Sequence, residues 1–280
     1  MVWEGRLKTV SICGAGHSGS TLLGMLLGSH SLGFYMGEGG KVRYLGDKSK
    51  PLRKRVCKIC GESCRIWGDF RWDRSAALYP QVAERVGRRL VIDSTKNDLW
   101  ITERVAETRA VGGAPHLIFL QRDGRGVLNS RLRKYPDRNP EVLVREWVAH
   151  MECAQSLFDR FEGPKVAICY EDLASAPEAT MRALCDWLEI PFESAMLRFQ
   201  HAEHHPLGGN NGPQYMVAKA RFDNSNDAFV KLNARVRGYY ENHDAGIRLD
   251  LRWKQELSAE NMALFNSLAG HLNIMSMQGD

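Results

Sequence analysis

Apolar residues along the chain fall into two kinds of run. Short blocks at 10–13, 33–36, 90–93, 116–120 and 166–170 are each long enough for one buried strand. Between them the apolar positions take helical spacing. Residues 22–27 read as a buried helix, and 75–87 set Leu78, Val82 and Val86 on one face. Further helices are expected at 98–111 and 127–134. The segment 140–161 carries a long stripe of Val144, Trp147, Val148, Met151, Ala154, Phe158 and Phe161, and Gly163-Pro164 ends it. Another helix opens near Pro177 and runs to Leu188, with Met181, Leu184 and Cys185 inward. The stretch 247–275 reads as helical, with Trp253, Leu257, Leu264, Phe265 and Leu268 apolar. Strands alternating with helices predict an α/β protein with a central, mainly parallel sheet flanked by helices. No repeat or linker divides the 280 residues, so one domain over 1–280 is expected.

The first strand runs into Gly14-Ala-Gly-His-Ser-Gly19, and Ser20 and Thr21 then open the first helix. Strand, glycine turn and helix form a phosphate cradle, because glycines let backbone N–H groups converge and a helix start adds unpaired donors. The spacing Gly14-x4-Gly19 is that of a P-loop, which predicts a P-loop-type three-layer fold. A nucleotide P-loop continues with Lys, but here Ser20 takes that place.

Three further strand ends carry chemistry. Gly37-Glu38-Gly39-Gly40 follows the second strand, where parallel sheets face their ligands. Asp93-Ser-Thr-Lys96 follows the third; its aspartate is also similar to the magnesium-site residue of P-loop NTPases. Gln121-Arg122-Asp-Gly-Arg125 follows the fourth, and Ser130 lies eight residues beyond Arg122. An Arg at a strand end and a Ser two helical turns on can converge on one anion.

Together these segments resemble the sulfotransferases that use 3′-phosphoadenosine 5′-phosphosulfate (PAPS). HSGST at 17–21 is similar to that family's 5′-phosphosulfate loop, with His17 where many members have Arg or Lys. The Arg122…Ser130 pair matches its 3′-phosphate motif, Lys134 falls where some members carry another phosphate-binding Arg, and YEDLASAPEATMRALCDWLEIPFE matches its closing strand and helix. The resemblance covers about 9–192. It implies that Gly16, His17, Ser18, Gly19, Ser20, Thr21, Arg122, Ser130 and Lys134 bind PAPS. It also implies that His17 and Lys96 stabilise charge, and that Glu38 stands where the tyrosylprotein type carries its base. Whether Glu38 or His17 is the base stays open. If His17 must be protonated, activity falls above its pKa; if it is the base, activity rises.

Residues 41–74 are polar and irregular apart from Cys57-x2-Cys60-Gly61-x2-Cys64-x2-Trp67. Similar inserts occur in bacterial relatives. The spacing invites zinc, but three thiols are one ligand short, and a fourth could come from a distant histidine. The alternative is a reduced, tight loop over Trp67, and no metal ligand is assigned. His201, His204 and His205 lack a carboxylate or thiol to complete a site, and Gly208 to Gly212 read as a mobile loop. The segment 196–245 is expected to cover cofactor and substrate.

The net charge of +5 suits a polyanionic ligand, but no basic stripe interleaved with aromatics points to nucleic acid. The basic run 48–55 reads as a solvated loop. No apolar stretch reaches the ~20 residues of a membrane span. Glu4, Arg6 and Lys8 disqualify a signal peptide, and seven scattered cysteines fit reduced thiols, so a cytoplasmic enzyme is expected.

The expected reaction moves the sulfuryl group of PAPS to a hydroxyl or amine, on a small-molecule or glycoconjugate acceptor. A P-loop small-molecule kinase with a degenerate loop is the alternative, and a non-catalytic binder of adenosine 3′,5′-bisphosphate is the third reading. The missing loop lysine and the Arg122…Ser130 pair speak against the kinase. Glu38 and Lys96 speak against the binder.

Overall fold

The computed structural model describes residues 5–222, 228–232, 238–240 and 246–273. Five parallel strands form one sheet: β1 (Lys8–Cys13), β2 (Gly33–Tyr35), β3 (Leu90–Asp93), β4 (Ala114–Gln121) and β5 (Lys165–Cys169), in the order β2-β3-β1-β4-β5. Val10 of β1 sits between Ile92 of β3 and His116 of β4. β1, β3 and β4 are buried almost from end to end because helices cover both of their faces. β5, at the edge, is only half-buried.

Most of the helices fall where the apolar spacing places them, while those at Leu52–Arg55 and Asn211–Arg221 fall in segments read as loops. α1 (Ser20–Gly28) packs on β2 and β3; α2 (Leu52–Arg55) is a single exposed turn in the basic run. α3 (Leu78–Val86) and α4 (Asp98–Ala110) pack on each other beside the sheet. α5 (Gly124–Lys134) and α6 (Pro140–Arg160) follow β4. α6 buries Leu143 and Leu157 besides Val144, Trp147, Met151 and Ala154, while Val148 and Phe158 are half-buried. After β5 come α7 (Tyr170–Ser175), α8 (Pro177–Trp187), α9 (Asn211–Arg221), α10 (Trp253–Glu256) and α11 (Ala259–Ala269).

The structure shifts two expected boundaries. α5 begins at Gly124 rather than 127, because the Asp123 carboxylate accepts from the Arg125 N–H at 2.9 Å and caps the helix early. Tyr170 opens α7 instead of ending β5. The β4–β5 ladder stops at Gln121 opposite Cys169, which leaves Tyr170 no strand partner.

The expected mobile loop at Gly208 to Gly212 is fixed in place. Gly209 N–H donates to Glu38 Oε1 at 2.9 Å and Asn210 N–H to Thr21 Oγ1 at 2.8 Å. The Asn210 side chain caps α9 by accepting from Gly212 N–H. Of the segment 196–245, residues 223–227, 233–237 and 241–245 lie outside the described residues, as do 274–275 of the C-terminal helical stretch. Among the described residues no helix is long and apolar enough to cross a membrane.

Candidate active site

β1 is the point where the sheet order divides, with β3 on one side and β4 on the other, so its carboxyl end opens a crevice. A cavity of about 600 Å³ lies there. It collects side chains from every strand end singled out in the sequence: Gly16, His17, Gly19, Ser20, Thr21, Glu38, Lys96, Arg122, Ser130 and Lys134 all line it.

The glycine turn fits an anion. Gly19 holds the helix N-cap with φ +93, a conformation open to glycine, and any Cβ there would lie 2.6 Å from the Tyr170 ring. No side chain caps α1, so its first N–H groups face the crevice. Ser18 departs from expectation: its side chain is fully buried, has no hydrogen-bond partner among the described residues, and lies off the cavity. Thr21 is buried and its hydroxyl is occupied by the Asn210 N–H.

His17 and Arg122 join the glycine turn to the Arg122…Ser130 segment. His17 Nδ1 is 2.8 Å from Ser130 Oγ, and Arg122 Nη1 donates to the His17 carbonyl at 2.9 Å. Arg122 is held flat over Tyr170, 4.2 Å from the ring centroid, with Asp250 at 3.4 Å on its edge. Asp250 in turn holds Arg252 at 2.7 Å. Burial would raise the Asp250 carboxyl, but Arg252 and Arg122 hold it well below the usual carboxylate range. The second arginine of the RDGR turn stays out of the crevice: Arg125 pairs with Asp123 and lies on Trp253.

His17, whose charge the sequence leaves open between a protonated ring and a base, is held neutral. Burial comes first, followed by the charges of Lys134, Arg131, Arg122 and Arg133, and together they push its pKa down to about 3. The ring is neutral at pH 7. Its backbone is also unusual, with φ +71 at a non-glycine position.

Lys96 reaches under the loop, where Nζ donates to the Ile12 carbonyl at 3.0 Å. Burial brings its pKa down to about 8, against the pull of Cys13, Glu38 and Asp93. It is a cation at pH 7, facing the same crevice as Glu38. Glu38 holds Gly209 N–H on Oε1, and Lys41 Nζ lies 2.7 Å from Oε2. Its side chain keeps 39% of its exposure, so it remains reachable from the cavity.

Asp93 does not stand ready for magnesium. Its Oδ1 accepts from Gly39 N–H, Thr95 N–H and Thr95 Oγ1, and its Oδ2 from Tyr79 OH and Trp100 Nε1. The buried carboxylate therefore ties β3 to the loop that presents Glu38.

Sequence reasoning missed much of the basic wall. Arg131, Arg133 and Arg138 line the cavity beside Lys134. Arg131 and Arg138 share Glu146, at 3.6 and 2.7 Å, and Arg133 pairs with Glu256 at 3.3 Å. The run Arg131-Leu-Arg-Lys134 at the end of α5 was the available signal. Arg248, Tyr239 and Tyr240 also line the cavity, and no motif marked them.

The three histidines separate. His201 is exposed. His204 is buried, lies 3.0 Å from the Phe199 carbonyl, and is lowered by burial to about 4. His205 corrects the expectation that no thiol stands near this cluster: its Nδ1 is 3.4 Å from Cys60 Sγ and 3.3 Å from Cys64 Sγ.

The family model described as "Sulfotransferase family" matches residues 10–194, more than half of the chain. Among solved structures, the sulfotransferase domain from the curacin biosynthetic pathway is similar at 20% identity and a TM-score of 0.60. That match covers 95% of this chain and 99% of that one. The sulfotransferase domain from the Synechococcus PCC 7002 olefin synthase is similar at 16% identity and a TM-score of 0.58, covering 94% of each chain. At these identities the likeness is one of fold. No curated protein sequence matches the chain significantly.

Proposed function

The chain belongs to the sulfotransferase family, and we propose that it moves the sulfuryl group of PAPS to a hydroxyl or amine of a small-molecule or glycoconjugate acceptor. The observation that carries this reading is the His17–Ser130 contact beside Arg122, which joins two separate anion motifs in one basic cavity. A kinase needs neither an arginine–serine pair at the fourth strand end nor a serine in place of the loop lysine.

The residues fit the donor. The uncapped start of α1 and the turn from Gly16 to Thr21 would hold its 5′-phosphosulfate. Arg122 and Ser130 would hold its 3′-phosphate, with Lys134 beside them. PAPS, when bound, supplies a sulfuryl group on a phosphate leaving group. The S–O bond to that phosphate breaks as the acceptor oxygen or nitrogen bonds to sulfur.

The protein's part is positioning and charge. Glu38 takes the acceptor proton on a carboxylate that Gly209 and Lys41 keep aimed at the crevice. Lys96 neutralises the negative charge that builds on the leaving phosphate. Neutral His17 brings no charge to the donor, so its role is a hydrogen bond from its one ring N–H.

The test is transfer of radiolabelled sulfur from PAPS across a panel of phenols, alcohols, amines and sugars. Label on an acceptor, absent with Glu38→Gln, supports the reading. Wild-type protein that binds the donor yet labels no member of the panel, nor any cell extract, makes it a binder.

A further inference from the structure

We infer that Cys57, Cys60, Cys64 and His205 hold one zinc ion, in a closed structural site outside the cavity. Their three sulfurs and one ring nitrogen all lie within 4.8 Å of one another. Tetrahedral zinc, with Zn–S of about 2.3 Å and Zn–N of about 2.0–2.1 Å, sets its ligand atoms about 3.5–3.8 Å apart. His205 Nδ1 is 3.4 Å from the Cys60 sulfur and 3.3 Å from the Cys64 sulfur. All three cysteines are free thiols, so no disulfide competes for the sulfurs. Three sulfurs and an imidazole suit zinc better than a hard, oxygen-seeking cation.

The surroundings are those of a metal site. Cys57, Cys64 and His205 are buried, at 0%, 2% and 3% exposure. The Cys60 N–H donates to Cys57 Sγ at 3.4 Å, and the Gly61 N–H closes the turn on the Cys57 carbonyl at 3.0 Å. Gly61 takes φ +71, which this tight turn demands. The other ring nitrogen, His205 Nε2, lies 2.9 Å from Glu203 Oε1. A carboxylate on the far nitrogen is the usual means of orienting a metal-bound histidine. Arg65 and Arg221 steady that carboxylate.

Four protein ligands leave no open position, so the ion would be structural rather than catalytic. It would tie the insert to the chain that follows His205. The Lys58 N–H bonds to the Pro206 carbonyl at 2.9 Å, while Leu207 pairs with Met36 and Glu38 across two backbone hydrogen bonds. The ion thus sits one strand-like segment from Glu38.

The full chain, purified under reducing conditions, is assayed for metal by mass spectrometry. One zinc per chain is expected, and exchange for cobalt should give the visible bands of tetrahedral thiolate ligation. Cys64→Ser and His205→Ala should lose the ion, while Cys153→Ser, an exposed cysteine outside the cluster, should keep it. Glu203→Gln keeps all four ligands and should weaken zinc affinity about 10–100-fold. If the ligand variants do not fold, titration of wild-type thiols with a mercurial, read with a zinc-sensitive dye, should release one zinc. Iron in place of zinc, a disulfide among the three cysteines, or reduced protein that takes up no zinc when incubated with the metal would each overturn the assignment.

Discussion

His17 Nδ1 and Ser130 Oγ stand 2.8 Å apart, which makes the glycine turn after β1 and the second turn of α5 two sides of one basic cavity. Arg122 closes the third side through the His17 carbonyl. The pKa of about 3 at His17 follows from this placement, since the half-buried ring sits among Lys134, Arg131, Arg122 and Arg133.

A depressed histidine has a definite consequence for stability. Folding favours the neutral ring, so the unfolded chain binds the proton first as pH falls below its ordinary value of ~6.5. Stability should therefore drop between about pH 6.5 and pH 3. His17→Gln should lose less stability than wild type between pH ~7 and ~5, by about 1–2 kcal/mol in urea unfolding. Equal losses would mean the ring is not held neutral.

His17 should also be silent in the rate profile. Between pH ~6 and ~8 an unperturbed imidazole would titrate, but this one stays neutral throughout. His17→Arg should leave the shape of the pH–rate profile unchanged there, whatever it does to the rate. A titration that disappears in the variant would assign it to His17.

Lys96 should set the alkaline limb. With its pKa near 8, the wild-type kcat should fall as pH rises through that value. Lys96→Arg should remove the limb, and Lys96→Met should lower kcat about 10²–10³-fold without one. A limb that persists in both variants would remove Lys96 from the chemistry.

Glu38→Gln keeps the hydrogen bond from Gly209 and loses the base. It should lower kcat about 10²–10⁴-fold and leave the affinity for adenosine 3′,5′-bisphosphate unchanged. Affinity falling with kcat would make Glu38 a residue that shapes the pocket, held in place by Lys41 at 2.7 Å.

Asp93 carries structure. Its carboxylate serves five donors from Gly39, Thr95, Tyr79 and Trp100. Asp93→Asn turns an amide N–H₂ against some of them and should cost about 2–4 kcal/mol of stability. Omitting magnesium should not change the wild-type rate.

The residues that were legible in the sequence are those fixed by the chain's own local rules. Strand runs such as Leu90 to Asp93 and the uncapped glycine turn before Ser20 depend on neighbours only a few positions away. Glu38, Lys96 and Arg122 were found because each ends a strand, and parallel strands end at one crevice. What stayed hidden depends on distant packing. The charge state of His17 is set by burial and by the cations of Arg122 and α5, more than a hundred residues on. Asp250 grips Arg122 from a segment with no motif. His205 meets Cys60 and Cys64 only because Leu207 runs alongside Met36 and Glu38. Asp93 had the right type and place for a metal, and only its partners show that its oxygens are already engaged.

The most direct measurement is a thermal unfolding series with adenosine 3′,5′-bisphosphate, ADP and ATP–magnesium, on wild type and on Arg122→Ala. At one hundred times its dissociation constant the bisphosphate should stabilise the wild type by ~2.7 kcal/mol. Arg122→Ala, which loses charge-assisted bonds to a phosphate, should raise that dissociation constant about 10–100-fold. ADP and ATP–magnesium should shift neither protein as far. Stabilisation by ATP–magnesium with none from the bisphosphate would contradict the sulfotransferase reading of this site.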